Sequence, residues 1–407
     1  MRIGIDATCW ANERGYGRFT RELVTAMVSE NPQHEFVCFL DSLSAQSFEL
    51  EGERVQRIVV RQSAPPTLAA SSGSRRSVPD MLRLTWAVGR AGLDVFFSPS
   101  VYGYFPLPPG LPAVVTVHDA IAERFPALTL PTWKDRWSWN AKVRLALMQS
   151  RIVLTVSPYA AREIAKYHRV PVEQVRVTLE GVASAYRPSD SEADIHAAAD
   201  RARLPSGARW LMYVGGFGPH KHVDVIVKAH AEVVDRQKQR GERPVMLVLV
   251  GHCHDGFHTD VSGIRAVVKQ CGTEHLVRWV GFLPDAEVRH LHGGALALLL
   301  VSASEGFGLP AVEAARCGTP VIATTESPLP DLLEGGGLFV PPGDQAALAA
   351  AIDQLATDDQ GRRAMGARAQ QRASELSWSR AGRIALAALE EAANMAENLE
   401  SKAHART

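Results

Sequence analysis

Residues Val301–Pro320, VSASEGFGLPAVEAARCGTP, form the stretch that decides the fold. An apolar aliphatic run, Ala295–Val301, leads into this stretch and predicts a strand that is buried on both faces of a parallel sheet. The next segment, Ser302–Gly308, is small, polar and glycine-containing, and Leu309–Cys317 has the pattern of a helix with Pro310 in its first turn. We therefore expect a strand–loop–helix unit whose loop lies at the carboxyl end of a strand in an open α/β sheet, where such folds bind ligands.

Two carboxylates belong to this unit, Glu305 in the loop and Glu313 one turn into the helix. Gly306 and Gly308 have no side chains and allow a ligand to approach the backbone closely. Carboxylates accept hydrogen bonds from hydroxyl groups, and the free N–H groups of a helix start bind anions. The site therefore suits a polyhydroxylated, phosphorylated molecule such as a nucleotide sugar. The alternative is an ordinary helix start with a glycine turn and two solvated glutamates.

A dinucleotide-binding fingerprint is the rival interpretation of the same residues. Gly306–Ala311 fits G-x-G-x-x-A, and Glu326 follows about 20 residues after the first glycine. Two details disfavour this interpretation: Ser302–Glu305 separates the strand from the first glycine, where the fingerprint has a tight turn, and Pro310 lies inside the motif. An NAD-binding dehydrogenase is therefore the weaker alternative.

The composition is that of an ordinary globular protein with more than one core. The chain has 407 residues, 46% hydrophobic and 22% charged, with a formal net charge of zero, so two domains and no nucleic acid partner are expected. Residues 1–187 carry 22 Lys and Arg against 17 Asp and Glu, which hints at an anionic partner for this half. The five cysteines form no C-x-x-C pair, and no apolar run is long enough to span a membrane. We therefore expect a cytoplasmic protein without a transmembrane helix.

A second glycine loop, Gly215–His222 with the sequence GGFGPHKH, connects a strand predicted over Arg209–Val214 to a helix predicted over Val223–Gln237. This loop places Lys221 at a helix N-terminus beside exposed N–H groups, which suits a diphosphate. The alternative is a lysine without a ligand, and the helix dipole makes that arrangement mildly unfavourable.

Potential metal ligands follow the next predicted strand, Val245–Val250: His252, Cys253, His254, Asp255 and His258. No second cluster supplies a matching spacing, and several of these residues are adjacent in sequence. We therefore expect no metal site.

The first half of the chain also alternates apolar runs with helical patterns, which predicts a doubly wound parallel sheet. Glu13–Gly17, ERGYG, is a glycine loop before a helix predicted over Arg18–Ser29. The predicted strand Ala113–Val117 ends in His118 and Asp119. An imidazole at a strand tip can donate to a sugar hydroxyl or carry a proton. The alternatives are glycines that only form a turn and a histidine that caps the next turn.

Residues 125–151 mix aromatic and basic side chains along a predicted helix. Trp133, Trp137 and Trp139 alternate there with lysines and arginines. This pattern suits a membrane interface or stacking against a sugar. The alternative is a solvated helix whose tryptophans pack on the core.

Taken together, these motifs resemble those of retaining glycosyltransferases of family four, in particular mannosyltransferase-like bacterial members with the GT-B fold. The resemblance rests on EGFGLPAVEA, GYGRF, VVTVHD, TVSPYAAREI, YVGGFGPHK and CGTPVIA. It implies an α/β protein with two Rossmann-like, doubly wound parallel-sheet domains that face a central cleft. The acceptor domain would span residues 1–186 and the nucleotide-sugar domain 187–380. Residues 381–407 would form a helix that returns to the first domain and ends in a frayed tail.

The resemblance also implies residue roles. Contact with the transferred sugar or its diphosphate is implied for His118, Lys221 and Glu305. Donor binding is implied for Gly17, Gly215, Gly216, His220, Lys221, Gly251, Phe307, Gly308, Leu309 and Glu313. The acceptor side would include Gly15, Tyr16 and Asp119.

The family commonly pairs its lysine with an arginine in the same loop. The matching positions here are Gly216 and His220, so the second cationic contact is either missing or supplied by His220.

The expected function is retaining transfer of a sugar from a nucleotide sugar, GDP-mannose in the first instance, to a glycan or lipid-linked acceptor in cell-surface polysaccharide synthesis. We expect no cofactor and no metal, because the lysine can neutralise the diphosphate. A cytoplasmic location with weak contact at the inner face of the membrane through residues 125–151 would fit this function. A GT-B epimerase or phosphorylase-like enzyme and the dehydrogenase are the alternatives.

Overall fold

The computed structural model describes residues 1–31, 33–63, 77–252 and 260–404, with side chains to residue 396. The contacts between residues divide the chain into two compact units. The first comprises Met1–Gly181 and Ser377–Thr407, and the second comprises Val182–Leu376. Of the potential metal ligands after Val250, only His252 is among the described residues.

The first unit is built on a sheet of seven parallel strands, counted over the described residues, in the order β3-β2-β1-β4-β5-β6-β7. Its elements in chain order are β1 (Arg2–Asp6), α1 (Gly15–Glu30), β2 (Glu35–Leu40), β3 (Val55–Val59), α2 (Val78–Gly89), β4 (Val95–Ser98), β5 (Ala113–Thr116), α3 (Ile121–Arg124), α4 (Pro126–Thr129), α5 (Trp133–Gln149), β6 (Ile152–Thr155), α6 (Pro158–His168) and β7 (Val175–Val177).

The second unit contains six parallel strands in its described part, in the order β10-β9-β8-β11-β12-β13. Its elements are α7 (Glu192–Arg201), β8 (Trp210–Val214), α8 (Val223–Gln239), β9 (Met246–Val250), α9 (Val261–Gln270), β10 (Val277–Gly281), α10 (Asp285–Gly294), β11 (Leu298–Leu300), α11 (Leu309–Arg316), β12 (Val321–Thr324), α12 (Leu329–Leu332), β13 (Gly337–Val340), α13 (Gln345–Thr357) and α14 (Asp359–Ser374). A final helix, α15 (Trp378–His404), belongs to the first unit.

The expected pair of doubly wound parallel sheets is confirmed. The predicted strands Arg209–Val214, Val245–Val250 and Ala113–Val117 each differ from the observed strand by one residue at an end. The strand predicted over Ala295–Val301 is observed over Leu298–Leu300. Strands β7 and β13 were not predicted. Both lie at an edge of their sheet and are only partly buried. In sequence, β7 has an arginine between two valines and β13 has an apolar run of only three residues, Leu338–Val340, so neither has the longer apolar run that marks a central strand.

Helix α1 begins at Gly15, three residues before the predicted start, so Gly15 and Gly17 lie in its first turn. The residue that approaches Gly17 is Asn12 of the same unit. A Cβ atom on Gly17 would lie 2.1 Å from the Asn12 carbonyl oxygen. The guanidinium of Arg21 fixes this turn by donating to the carbonyls of Trp10 and Asn12 over 2.5 and 2.7 Å.

Helix α15 packs along α1 and over the strands β4, β5 and β6. Its inward face is apolar, with Leu389 fully buried. The side chain of Arg176 on β7 adds a bidentate ion pair to Glu391 of this helix, with N–O distances of 2.7 and 3.2 Å. The amide nitrogen of Trp378 would lie 2.3 Å from a Cβ atom on Gly181, so the two points where the chain leaves and re-enters the first unit adjoin.

Replacement of Leu389 by alanine should destabilise the first unit by about 2–5 kcal/mol, because it opens a cavity under a fully buried side chain. The matched control on the same helix is Met395→Ala, since Met395 is 44% exposed. Denaturant unfolding followed by circular dichroism measures both variants. Equal midpoints for the two would contradict the packing of α15 described here.

Candidate active site

The order of the strands in the second unit marks where a ligand can bind. Strands β8 and β11 are neighbours in the sheet, and the connections that leave them run to opposite sides of this point. Such a topological switch point opens a crevice at the carboxyl ends of the strands. The loop after β8 carries Lys221, and the loop after β11 carries Glu305.

Lys221 and Glu305 form an ion pair between these two loops. The distance from the lysine Nζ to the glutamate Oε1 is 2.8 Å, and their side chains are 22% and 10% exposed. The hydroxyl of Ser302 donates to the same Oε1 over 2.6 Å. Both of these contacts go to Oε1, so Oε2 is the oxygen that can accept a hydrogen bond from a sugar hydroxyl.

Backbone hydrogen bonds hold the loops that carry this ion pair. The amide of Ala303 donates to the carbonyl of His220 over 2.8 Å and so joins the two loops directly. The amide of Glu305 donates to the carbonyl of Glu326 over 3.0 Å, which ties its loop to the segment after β12. The ion pair is therefore fixed from three strand ends.

Glycine is required where α11 begins. Gly308 has a φ of +91° as the residue before the helix, and a Cβ atom on it would lie 2.8 Å from Leu329 Cδ1. Phe307, Gly308 and Leu309 lie at the start of α11, and the free amides of a helix N-terminus can bind an anion.

Glu305 and Glu313 are both buried, at 8% and 3% exposure. The interpretation of these residues as two solvated glutamates is therefore wrong. A carboxylate that is withdrawn from water needs partners, and Glu305 has two in Lys221 and Ser302. Glu313 lies on the buried side of α11.

The strand ends beside Lys221 approach each other closely. Gly215 and Gly251, which follow β8 and β9, both have a φ of +153°. A Cβ atom on Gly251 would lie 2.0 Å from the carbonyl oxygen of Gly215. The hydroxyl of Tyr213 donates to the carbonyl of Gly216 and fixes the loop before Lys221. These glycines are thus required by the contact between strand ends.

The ring of His220 folds back over Gly218. A Cβ atom on Gly218 would lie 2.9 Å from the His220 Cε1 atom. Burial, together with the nearby charges of Lys221 and His222, lowers the pKa of His220 to about 3. The imidazole is therefore neutral near pH 7 and can donate or accept a hydrogen bond there, but it does not supply the second positive charge.

His118 follows β5 in the first unit, and both its ring nitrogens face protein groups. Nε2 lies 3.0 Å from the carbonyl oxygen of Pro99, and Nδ1 lies 3.9 Å from Oε1 of Glu180. The ring edge packs on Phe19, with centroids 4.7 Å apart. Its side chain is 13% exposed, so one edge of the imidazole is accessible.

Glu180 was missed by the sequence analysis. The residue is 3% exposed, and burial raises the pKa of its carboxyl, an effect that His118 and Arg18 partly oppose. A glutamate before a glycine in a polar turn has the sequence pattern of a solvated residue, so the pattern gave no signal. Glu180 restricts the orientation of the His118 imidazole.

The first sheet has its own switch point, between β1 and β4. Tyr16, which follows β1, stacks on Tyr102, which follows β4, with centroids 5.2 Å apart. Tyr102 also contacts Trp139 of α5 at 5.1 Å. Burial raises the pKa of Tyr102 well above its usual value, and the nearby carboxylate of Asp119 raises it further. The structure thus brings Tyr16 and Asp119 close to Tyr102, which the sequence analysis did not identify.

Two absences can be stated for the described ranges. Within them, no group of three His, Cys, Asp or Glu side chains is arranged to hold a metal ion. In the same residues, no helix has the length and apolar character needed to cross a membrane.

Comparison with known families gives two matches that lie in different halves of the chain. Residues 14–185 match the family model "Glycosyltransferase Family 4". Residues 195–372 match the model "Glycosyl transferases group 1". The first match contains the strands of the first sheet apart from β1, and the second match contains all six described strands of the second sheet.

Two curated relatives are similar to the chain. An O-antigen chain mannosyltransferase B from Escherichia coli is 28% identical over 300 residues, which are 73% of this chain and 74% of the relative. A D-inositol 3-phosphate glycosyltransferase from Kineococcus radiotolerans is 36% identical over 194 residues, 44% of each chain. The second similarity thus spans less than half of that relative.

Among solved structures, HepE from Anabaena in complex with UDP and glucose has a similar fold. The TM-score is 0.71 at 18% identity, over 98% of this chain and 99% of that chain. At this level of identity the similarity concerns the fold.

The burial of His220 predicts how activity responds to pH. Because this imidazole stays neutral, the ratio of kcat/KM between His220→Gln and the wild type should be constant from about pH 5.5 to 8. Parallel pH–rate profiles of the two proteins measure this ratio. A change of the ratio with a midpoint inside this range would mean that His220 titrates there and acts as a cation.

Proposed function

Because the chain belongs to the family 4 glycosyltransferases with the GT-B fold, we propose that it transfers mannose from GDP-mannose to a glycan or lipid-linked acceptor in cell-surface polysaccharide synthesis. The Lys221–Glu305 ion pair at the switch point between β8 and β11 carries this proposal. The mannosyltransferase relative supports the sugar, and the complex of HepE with UDP and glucose supports a nucleotide sugar as the class of donor.

Lys221 has the position and charge to bind the donor diphosphate. Its ammonium group lies beside the start of the 17-residue helix α8, whose N-terminal amides stabilise an anion. As the bond from the sugar to the diphosphate breaks, negative charge grows on the departing oxygen. The loss of one such stabilising contact typically costs ~2.7–4 kcal/mol of transition-state stabilisation.

Glu305 and Glu313 are proposed to accept hydrogen bonds from different hydroxyl groups of the donor. Oε2 of Glu305, next to Lys221, can accept from a hydroxyl of the transferred sugar. Glu313 lies further along α11 and is proposed to accept from the ribose hydroxyls. In the complex, Lys221 would therefore contact both the diphosphate and the carboxylate that orients the sugar.

We propose that the anomeric configuration is retained. The acceptor hydroxyl attacks the sugar from the side of the leaving group, the bond to the diphosphate breaks, and a diphosphate oxygen takes the acceptor proton. The transition state has oxocarbenium character, so positive charge on the sugar faces negative charge on the diphosphate. Lys221 supplies the neutralising charge in this scheme, and neither a metal nor a cofactor enters it.

The acceptor is proposed to bind at the switch point of the first sheet. Gly15 and Tyr16 lie in the first turn of α1, and Asp119 follows β5 at the same edge of the sheet. Oδ1 of Asp119 accepts from the amide of Ile121 over 2.9 Å, which holds the carboxylate at the start of α3. We also propose a cytoplasmic location, because nucleotide sugars are made in the cytoplasm.

Variants of three residues test the proposed roles. Lys221→Ala should lower kcat at least 10²-fold, in line with the loss of a charge-stabilising group. Glu305→Ala should mainly lower kcat, whereas Glu313→Ala should mainly weaken the binding of GDP. The matched control is Lys228→Ala, since Lys228 is a partly exposed lysine of α8 that pairs with Asp224 on the same helix. Calorimetric titration and donor turnover separate these effects.

Two results would contradict the proposed site or the proposed reaction. If Glu305→Ala and Glu313→Ala bind GDP and turn over like the wild type, this site does not hold the donor. If the protein interconverts sugars without releasing a nucleoside diphosphate, it is an epimerase.

A thermal-shift screen against GDP, UDP and dTDP sugars identifies the donor. A ligand at 100 times its Kd stabilises the folded protein by about 2.7 kcal/mol, so the matching donor should raise Tm clearly. GDP-mannose is expected to give the largest shift. A larger shift with a UDP or dTDP sugar would overturn the choice of donor and leave the proposed reaction class intact.

A further inference from the structure

The exposed apolar residues of this protein are concentrated on two helices. Among the described residues, eleven large hydrophobic side chains are exposed, and six of them lie on α2 and α5. These six are Val78, Leu82, Trp86, Trp133, Trp137 and Met148. They include every exposed tryptophan of the described chain. Large exposed apolar groups at this density mark an interaction surface.

Helix α2 has apolar residues on two opposite faces. Its inward face contains Leu84 and Val88, which are buried. Val78, Leu82 and Trp86 recur at intervals of four residues on the other face and are 62%, 60% and 67% exposed. This second stripe therefore points away from the sheet.

Helix α5 shows the same division. Trp139 and Val143 are buried against the unit, whereas Trp133 and Trp137 are 73% and 68% exposed. Met148, which is 73% exposed, continues this outer face toward the end of the helix. The interpretation of the tryptophans as core residues thus holds for Trp139 and is wrong for the other two.

The two helices lie on the same side of the first sheet. Helix α2 connects β3 to β4 and α5 connects β5 to β6, and both connections advance in the same direction across the sheet. Right-handed crossovers place such connections on one face. One segment also joins them, since Thr85 of α2 donates to the carbonyl of Pro106 and Gln149 of α5 donates to that of Leu107.

Cations flank the exposed apolar side chains. Arg90 lies over the ring of Trp86 at 4.8 Å, and Lys134 lies over the ring of Trp133 at 5.8 Å. Arg144 is exposed on the outer face of α5. Asp80, the acidic residue of α2, is buried and accepts a hydrogen bond from Arg83, so α2 exposes no carboxylate. Exposed tryptophan beside Lys or Arg is typical of side chains at a membrane interface, where the ring enters the headgroup region and the cation stays in water.

We propose that the outer faces of α2 and α5 together form a docking surface for an anionic lipid bilayer. The side chains that would enter the headgroup region are the six exposed apolar residues of these two helices. Their neighbours Arg90, Lys134 and Arg144 would contact lipid phosphates. A bilayer fits this surface better than a second copy of the chain, because a two-fold contact would bring basic residues against basic residues.

This surface differs from the membrane contact expected from residues 125–151. It includes α2, which the sequence analysis did not consider, and it excludes Lys142. The ammonium group of Lys142 points inward and donates to the carbonyl of Tyr102 over 2.9 Å. Arg136 is also engaged, since its Nε donates to the carbonyl of Leu130 over 2.8 Å. The inference rests on the exposed apolar and basic side chains of α2 and α5, and it does not depend on the proposed reaction.

Co-sedimentation with vesicles tests the docking surface. The vesicles contain phosphatidylglycerol and phosphatidylcholine or phosphatidylcholine alone, at low and high salt. We expect the wild type to bind the anionic vesicles at low salt, and high salt to reduce this binding at least threefold. Vesicles of phosphatidylcholine alone should bind much less protein.

Two double variants and two matched controls separate the contributions. Trp86→Ser with Trp137→Ser removes apolar contacts, and Lys134→Gln with Arg144→Gln removes charge. Each pair should lower the partition coefficient at least tenfold. The apolar control is Val172→Ser with Met395→Ser, exposed residues of the same unit outside both helices. The charge control is Lys238→Gln with Lys269→Gln on the second unit. Both controls should stay within twofold of the wild type.

Several results would overturn the docking surface. Absence of the wild type from the low-salt pellet, or equal loss in the control variants, would overturn the docking surface. Self-association in solution that disappears in the Trp86→Ser, Trp137→Ser variant would overturn it in favour of an interface between copies. Circular dichroism melts confirm that the variants fold. Titration with GDP should give the wild-type Kd in the two double variants and the two controls. A failure of the docking surface is therefore distinguishable from a failure of the proposed reaction.

Discussion

The structure of the candidate site depends on one ion pair, between Lys221 and Glu305. Parallel strands place all their carboxyl ends at one edge of a sheet, and the change of direction between β8 and β11 keeps that edge open. Both charges are largely removed from water, and each stabilises the other in the absence of a ligand. A bound diphosphate can replace part of this interaction at the ammonium group. Lys221 and Ser302 both contact Oε1 of the carboxylate, so Oε2 can accept from a sugar hydroxyl, and the pair prepares the site for a ligand that carries both anionic and hydroxyl groups.

Much of this arrangement could be predicted from the sequence. The run before Val301 is uniformly aliphatic, so its strand was placed within a few residues. Gly308 was noted in the sequence for its missing side chain, and the structure adds that its φ is positive. The burial of Glu305 could not be predicted, because a loop glutamate with glycine neighbours has the pattern of a solvated residue. Its hydrogen-bond partner Ser302 and its ion-pair partner Lys221 are separated by 81 positions in the sequence, and only the fold brings them together.

The outer face of α2 shows a second limit of sequence patterns. Apolar residues occur there on two stripes, one through Leu84 and Val88 and the other through Leu82 and Trp86. Periodicity identifies a helix in either case, but it does not determine which stripe faces the core. In the structure Leu84 and Val88 form the buried stripe, and the large indole of Trp86 lies on the exposed one. Glu180 was missed for the opposite reason, since a single charged residue in a turn carries no periodic signal at all.

Helix α5 links the two functions proposed for the first unit. Its inner face presents Trp139 to Tyr102 at the switch point, and the indole nitrogen of Trp139 donates to Glu123 over 2.5 Å. Burial raises the pKa of Glu123 to about 7, so near neutral pH this carboxyl exchanges between its protonated and ionised forms beside the acceptor side. The outer face of the same helix carries Trp137. A lipid-linked acceptor would place its diphosphate at the bilayer surface and its sugar at the sheet edge. Because α5 lies between these two places, it would fix the distance between the membrane and the acceptor site.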